Sequence, residues 1–157
     1  MTDDFTEATK ERIEILRGLY PLYKEEVYCR REQMMRITAL GSAFLLLLLL
    51  AKVWGTPHPL DDTMALLAST GMTIFWSILV YLILQQRDRH HMAKQSLIEI
   101  ERALGLYEEG FYLDHKTLYP KDWQTAWLSD RSVTAYIAVI TTLTILVIAA
   151  ILLRSST

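Results

Sequence analysis

Three apolar windows, Ile37 to Trp54, Met64 to Leu84 and Val133 to Leu153, constrain this chain more than any other feature. Each is about 18 to 21 residues long, roughly what a helix needs to cross a hydrocarbon layer. Hydrophobic residues make up 52% of the 157 positions, and it is their concentration in these windows that decides the class. The expectation is an all-α integral membrane protein with three transmembrane helices and long helical cytoplasmic extensions. A soluble globular enzyme and a disordered chain are both excluded on this reading. Too little soluble sequence remains for a separate catalytic domain.

The expected organisation follows from the windows. Residues 1–36 form cytoplasmic amphipathic helices, 37–54 the first span, and 55–63 an external turn. The second span is 64–84, and 85–132 hold a cytoplasmic helix and an interfacial aromatic segment. The third span is 133–153, and 154–157 form an external tail. Residues 1–36 are polar and charged with no early apolar core, so no cleavable signal is expected and the first span serves as its own insertion signal.

Basic residues orient the spans. Seven lie in residues 1–36: Lys10, Arg12, Arg17, Lys24, Arg30, Arg31 and Arg36. Seven more lie in residues 85–132: Arg87, Arg89, Lys94, Arg102, Lys116, Lys121 and Arg131. Between Gly55 and Thr63 there are none, and Arg154 alone follows Leu153. Positive charge stays inside, which puts the N-terminus inside, the C-terminus outside, and the protein in the inner membrane as a multi-pass chain. Lys52, at the outer end of its span, can snorkel to the headgroups.

No ionisable residue stands in the middle of a span. Proton relays, ion-coupled transporters and voltage sensors need one there, so a coupled transporter is not expected. The polar features are milder. Ala65, Ser69, Thr73 and Ser77 recur every four residues, and Thr134, Ala138 and Thr142 do the same in the third span. Small residues at that spacing let helix backbones approach closely. Their simplest use is packing the three spans on one another; the sharper use is an oligomer contact or a hydroxyl-lined pore.

Outside the spans, Ile13, Leu16, Tyr20, Tyr23, Val27 and Met34 follow heptad-like steps suited to coiled-coil contact with another helix. The first five are candidate oligomer contacts. Asp4 or Thr6 can cap the start of this run. Pro21 lacks an amide hydrogen and is expected to break it, sitting as the first residue of a new helix. From Leu22 to Trp54 one long helix is expected, with Gly41 the sole irregularity. A second cytoplasmic helix covers Gln85 to Leu104, with Met92, Leu97, Ile100 and Leu104 as its buried stripe. Gly105 and Gly110 then punctuate the chain, Phe111 to Tyr119 reads as loop, and Pro120 starts a short helix. Tyr119, Trp123 and Trp127 are interfacial anchors on this reading. Ser129 or Asp130 caps the last span.

Chemistry-bearing motifs are scarce. Adjacent helical residues such as His90 and His91 point about 100° apart and cannot chelate one ion together; a solvated juxtamembrane helix explains them. Cys29, the lone cysteine, sits beside Arg30 and Arg31, which favour a thiolate, yet no histidine is placed to act as its base. No Gly-rich phosphate loop, G-x-S-x-G elbow or CxxC occurs. Catalytic residues, cofactors and metal ligands are therefore not assigned, and the protein is not expected to be an enzyme. Sixteen Lys and Arg against eighteen Asp and Glu give −2, which offers no attraction for nucleic acid. Expected partners are membrane lipids, other copies of the chain and a cytoplasmic partner protein. The clusters Arg30-Arg31-Arg36 and Arg87-Arg89 suit anionic inner-leaflet lipids.

A charged helix carrying Tyr28 and Arg30-Arg31 runs into a two-span hairpin. A helix reading Ala93-Lys94-Gln95-Ser96-Leu97-Ile98-Glu99-Ile100-Glu101-Arg102-Ala103-Leu104 follows, then aromatics and Trp123. Over roughly residues 20–127 this pattern resembles SLATT-type bacterial membrane proteins and the RipA-like octameric membrane proteins; the third span is additional to the simple two-span form. The resemblance implies a self-associating bacterial inner-membrane protein, pore-forming or effector-like, gated by a nucleotide-sensing partner, with no catalytic residues to transfer. Two other readings stay open: a non-conducting membrane scaffold for a partner protein, and a lipid-binding protein or enzyme using the cytoplasmic lobe.

Overall fold

The computed structural model describes residues 2–54, 61–126 and 131–155, and the side chains within 10–54, 61–125 and 131–153. Among the described residues four helices follow in order: α1 (Thr2–Trp54), α2 (Asp62–Ala103), α3 (Trp123–Ala126) and α4 (Arg131–Ser155). Three of them, α1, α2 and α4, are long and apolar enough to cross a membrane. Asp4, Thr6, Trp127, Ser129 and Asp130, singled out above as caps or an anchor, lie outside the described side chains.

Pro21 does not break α1. The helix runs through it without interruption, contrary to the expectation of a new start there. Pro21 is exposed, so the Arg17 carbonyl that loses its partner can turn to water, and the loss is confined to one bond. On either side, Tyr20 and Tyr23 are held by packing.

The chain divides into two compact units, residues 1–31 with 88–130, and residues 32–87 with 131–157. The second unit contains the apolar windows. Its core is Met34, Leu45, Ala65, Leu79, Ile83, Val133, Ile140, Val147 and Ile151, drawn from α1, α2 and α4. Their intervals along each helix are four, seven, eleven or fourteen residues, near whole numbers of turns, which brings them to one stripe. Gly41 lets α1 and α2 approach closely: a Cβ there would stand 2.8 Å from Leu79 Cδ1. Two buried threonine hydroxyls are satisfied locally, Thr38 donating to the Met34 carbonyl and Thr144 to the Ile140 carbonyl.

In the first unit, Val27, Ala93 and Leu97 form a small core flanked by Tyr20 and Tyr23. The inward stripe of α2 differs here from the expected one. Met92 is 59% exposed, while His90, Ala93, Leu97, Ile100 and Glu101 are buried. His90 is thus not part of a solvated helix face; its Nδ1–H donates to the Val27 carbonyl oxygen at 3.1 Å.

The end of α2 is a Schellman turn. Leu106 N–H donates to the Glu101 carbonyl and Gly105 N–H to that of Arg102, each at 3.0 Å. Gly105 takes φ +71°, which a side chain would resist. Beyond it, Gly110 at φ +78° and His115 at φ +57° shape a short loop closed by a bridge between Leu113 and Lys116. This loop returns the chain so that Tyr119 N–H donates to the Leu106 carbonyl.

Candidate functional site

Glu101 is the centre of the most developed polar arrangement in the first unit. It occupies the last turn of α2 and is 7% exposed. Because the Schellman turn reverses the chain directly after it, Tyr107 comes back over the helix end, and its hydroxyl donates to Glu101 Oε2. Tyr20, from α1, donates to Oε1 at 3.5 Å, a long and weak contact. The Tyr20 and Tyr119 hydroxyl oxygens lie 2.9 Å apart, which extends the network to a third ring. Tyr119 packs edge-on to Tyr107 and lies 5.5 Å from Trp123, centroid to centroid.

The half-buried Tyr20 and the buried Tyr107 hold their phenol protons more tightly than usual. Burial raises the Tyr20 pKa first, and the hydrogen bond to Tyr119 adds to it. For Tyr107 burial again leads, followed by the bond to Glu101. These tyrosines are therefore donors throughout the physiological range, and Glu101 is the acceptor on which they converge.

Beside this network opens a crevice of about 260 Å³, lined by Tyr20, Lys24, Val27, Tyr28, Leu97, Glu101, Tyr119 and Trp123. The Lys24 ammonium sits 5.7 Å from the Tyr20 ring centroid, within cation–π range. The chemistry on offer is recognition: a buried carboxylate, aromatic walls and one basic group. Among the described residues no three His, Cys, Asp or Glu side chains converge as a metal site would require.

The candidate oligomer contacts divide. Tyr20, Tyr23 and Val27 pack against Ala93 and Leu97 of the same chain. Leu16 is half-buried, and Ile13 is exposed. Two of the aromatic anchors, Tyr119 and Trp123, belong to the crevice. Cys29 is exposed. Apolar periodicity passes over Glu101 and Tyr107, because an inward-facing glutamate breaks the stripe it belongs to. The available signal is Glu101 standing four residues before Gly105, with Tyr107 just beyond the turn.

The four-residue stripes of the second unit divide as well. Ala65 is buried and Ser69 half-buried, while Thr73, Ser77, Thr134, Ala138 and Thr142 are all exposed. Packing of the three spans on one another therefore accounts only for the Ala65 end of these stripes. The exposed hydroxyls turn back on their own helix: Thr73 donates to the Ser69 carbonyl and Ser77 to that of Thr73, each at 2.9 Å. Trp76 Nε1 donates to Thr141 Oγ1 at 3.0 Å, tying α2 to α4. A crevice of about 200 Å³, lined by Thr73, Trp76, Thr141, Thr144, Ile145 and Ile148, opens beside that bond.

Comparison with protein-family models, with curated protein sequences and with solved structures returns no match.

Proposed function

We propose that the chain is a self-associating multi-pass protein of the bacterial inner membrane whose copies meet through the hydroxyl-bearing faces of α2 and α4. The observation carrying this reading is the exposure of Thr73, Ser77, Thr134, Ala138 and Thr142 on helices apolar enough to span a membrane. Against lipid such residues gain little, whereas against another helix their small side chains allow close backbone approach. The hydroxyls of Thr73 and Ser77, bonded to their own helix, do not demand water and so suit a dry contact. The seven-and-seven distribution of Lys and Arg supports an inside N-terminus and an inside 85–132 segment.

The resemblance to SLATT-type and RipA-like proteins supports the same reading and adds a pore. In that form Ser69, Thr73 and Ser77 line the conducting path, with apolar constrictions that gate by dewetting. In a scaffold form the same faces simply pack and present the cytoplasmic unit to a partner protein. The mass of the detergent-solubilised particle, with detergent subtracted, tests the proposal. A ring of several copies that falls apart when Ser69, Thr73 and Ser77 are all replaced by leucine is expected. A monomer would end the self-association reading. For a ring, current carried by the wild-type protein in planar bilayers identifies a pore, and its absence identifies a scaffold.

A further inference from the structure

Glu101 raises a question that its two tyrosines do not answer. A buried carboxylate is costly unless an opposite charge accompanies it. Among the described residues the polar contacts of its side chain are the hydroxyls of Tyr107 and Tyr20, with no cationic group among them. Its position compounds the cost, because the carbonyls at the end of α2 already make that region negative. The arrangement holds a negative site next to an open crevice.

The walls of that crevice point the same way. Aromatic faces carry a negative quadrupole and attract cations, and Tyr20, Tyr119 and Trp123 supply three of them. The Lys24 ammonium, one turn along α1, already lies within cation–π distance of the Tyr20 ring. Lys24 is exposed, so it belongs to the rim, while Glu101 lies deep. One negative group inside and one positive group at the edge complement a ligand of the opposite polarity. A space of about 260 Å³ admits a small headgroup.

We propose that this crevice is a binding site for an organic ammonium carried a few bonds from a phosphate. The ammonium sits between Glu101 and the rings of Tyr20, Tyr119 and Trp123, and the phosphate meets Lys24. Phosphoethanolamine has this chemistry, either as a free molecule or as a lipid headgroup. The assignment is independent of self-association, since every residue it uses lies in one chain and one unit.

Two arms test it on the full-length protein in a sugar-headgroup detergent. In one, soluble phosphoethanolamine is titrated by calorimetry; in the other, the protein is reconstituted with phosphatidylethanolamine and retained lipid is weighed by native mass spectrometry. Saturable binding in the first arm identifies the free molecule as a ligand, and binding in the second arm alone identifies the lipid. In whichever arm binds, Glu101→Gln, which keeps the side chain's size and an oxygen acceptor for the tyrosines, is expected to weaken affinity by about tenfold or more. Trp123→Leu removes one wall without touching the tyrosine–carboxylate bonds and is expected to weaken affinity by a smaller factor. Inorganic phosphate alone is expected not to bind. No binding in either arm overturns the proposal, as does wild-type affinity in both variants.

Discussion

Tyr107 donates its hydroxyl to Glu101 from six residues further along the chain, across the left-handed turn at Gly105. The bond closes the end of α2 on itself, and both partners are buried. Tyr107→Phe keeps the ring and strips the donor from a carboxylate that has little access to water. A loss of about 1–3 kcal/mol is expected for the unit containing residues 88–130. Amide hydrogen exchange should show faster opening there and unchanged protection in the apolar core around Ile83 and Ile140. Equal protection in both proteins would remove the bond from the list of stabilising contacts.

Alkaline pH should open the same unit. Tyr20 and Tyr107 both have phenol pKa values raised above the ordinary 10.0, by burial first and then by the hydrogen bonds to Tyr119 and Glu101 respectively. The folded chain therefore binds these two protons more tightly than the unfolded chain. The stabilisation is complete below about pH 10 and declines as the pH climbs above it towards the raised folded values. Phenolate absorbance should show Tyr20 and Tyr107 ionising only as the unit's structure is lost. Tyr107→Phe should remove one of those two late steps; ionisation of both with the unit still folded would contradict the assignment.

Gly105 fixes where Tyr107 and Tyr119 arrive. At φ +71° an alanine is strained, and its Cβ would meet the Phe111 ring at about 3.4 Å, an ordinary contact. The expected cost of Gly105→Ala is thus conformational, about 1–2 kcal/mol. Gly105→Asn should cost less, because asparagine visits the left-handed region more readily. Thermal unfolding of the two variants gives the ranking, and an alanine variant as stable as wild type would show that the turn adapts.

These positions also mark the limits of reading this chain from its sequence. The three helices long and apolar enough to cross a membrane are legible because length and apolarity suffice to define them. Gly105 and Gly110 were legible as stops, since glycine tolerates positive φ. Pro21 was misread, because an exposed proline costs a helix one bond that water can replace, and the tyrosines around it pack regardless. Met92 was placed inward and is exposed, whereas His90 and Glu101 point inward. A search for apolar periodicity cannot register inward-facing polar side chains, whose burial depends on partners distant in sequence. The crevice was invisible for the same reason: Tyr20 and Tyr119 are 99 residues apart.

Within the apolar unit, Trp76 and Thr141 form a side-chain hydrogen bond that joins α2 to α4. Thr141→Val preserves shape and deletes the acceptor. Side-chain hydrogen bonds between apolar helices of this kind average about 0.6 kcal/mol, so a small loss of thermal stability in detergent is expected. The Trp76 environment should also change, visible as a shift in tryptophan emission that is absent when Trp76→Phe is the background. An unchanged emission spectrum in Thr141→Val would place the indole N–H elsewhere.

Gly41 and Leu79 set the separation of α1 and α2 in this unit. An added Cβ at Gly41 would lie 2.8 Å from Leu79 Cδ1 and 3.5 Å from Cδ2, the far end of a flexible side chain. Gly41→Ala is therefore expected to be tolerated after Leu79 rotates, at modest cost. Gly41→Leu cannot be absorbed that way and forces the backbones apart, with an overpacking penalty of about 1–3 kcal/mol. Leu79→Ala opens a void in the same place and is destabilising by itself. Combining the two substitutions lets the new leucine fill that void, so the double variant should be more stable than the sum of the single losses predicts. Thermal unfolding in detergent of all four proteins completes the cycle. Strict additivity would mean that the contact between Gly41 and Leu79 does not govern how closely the two helices pack.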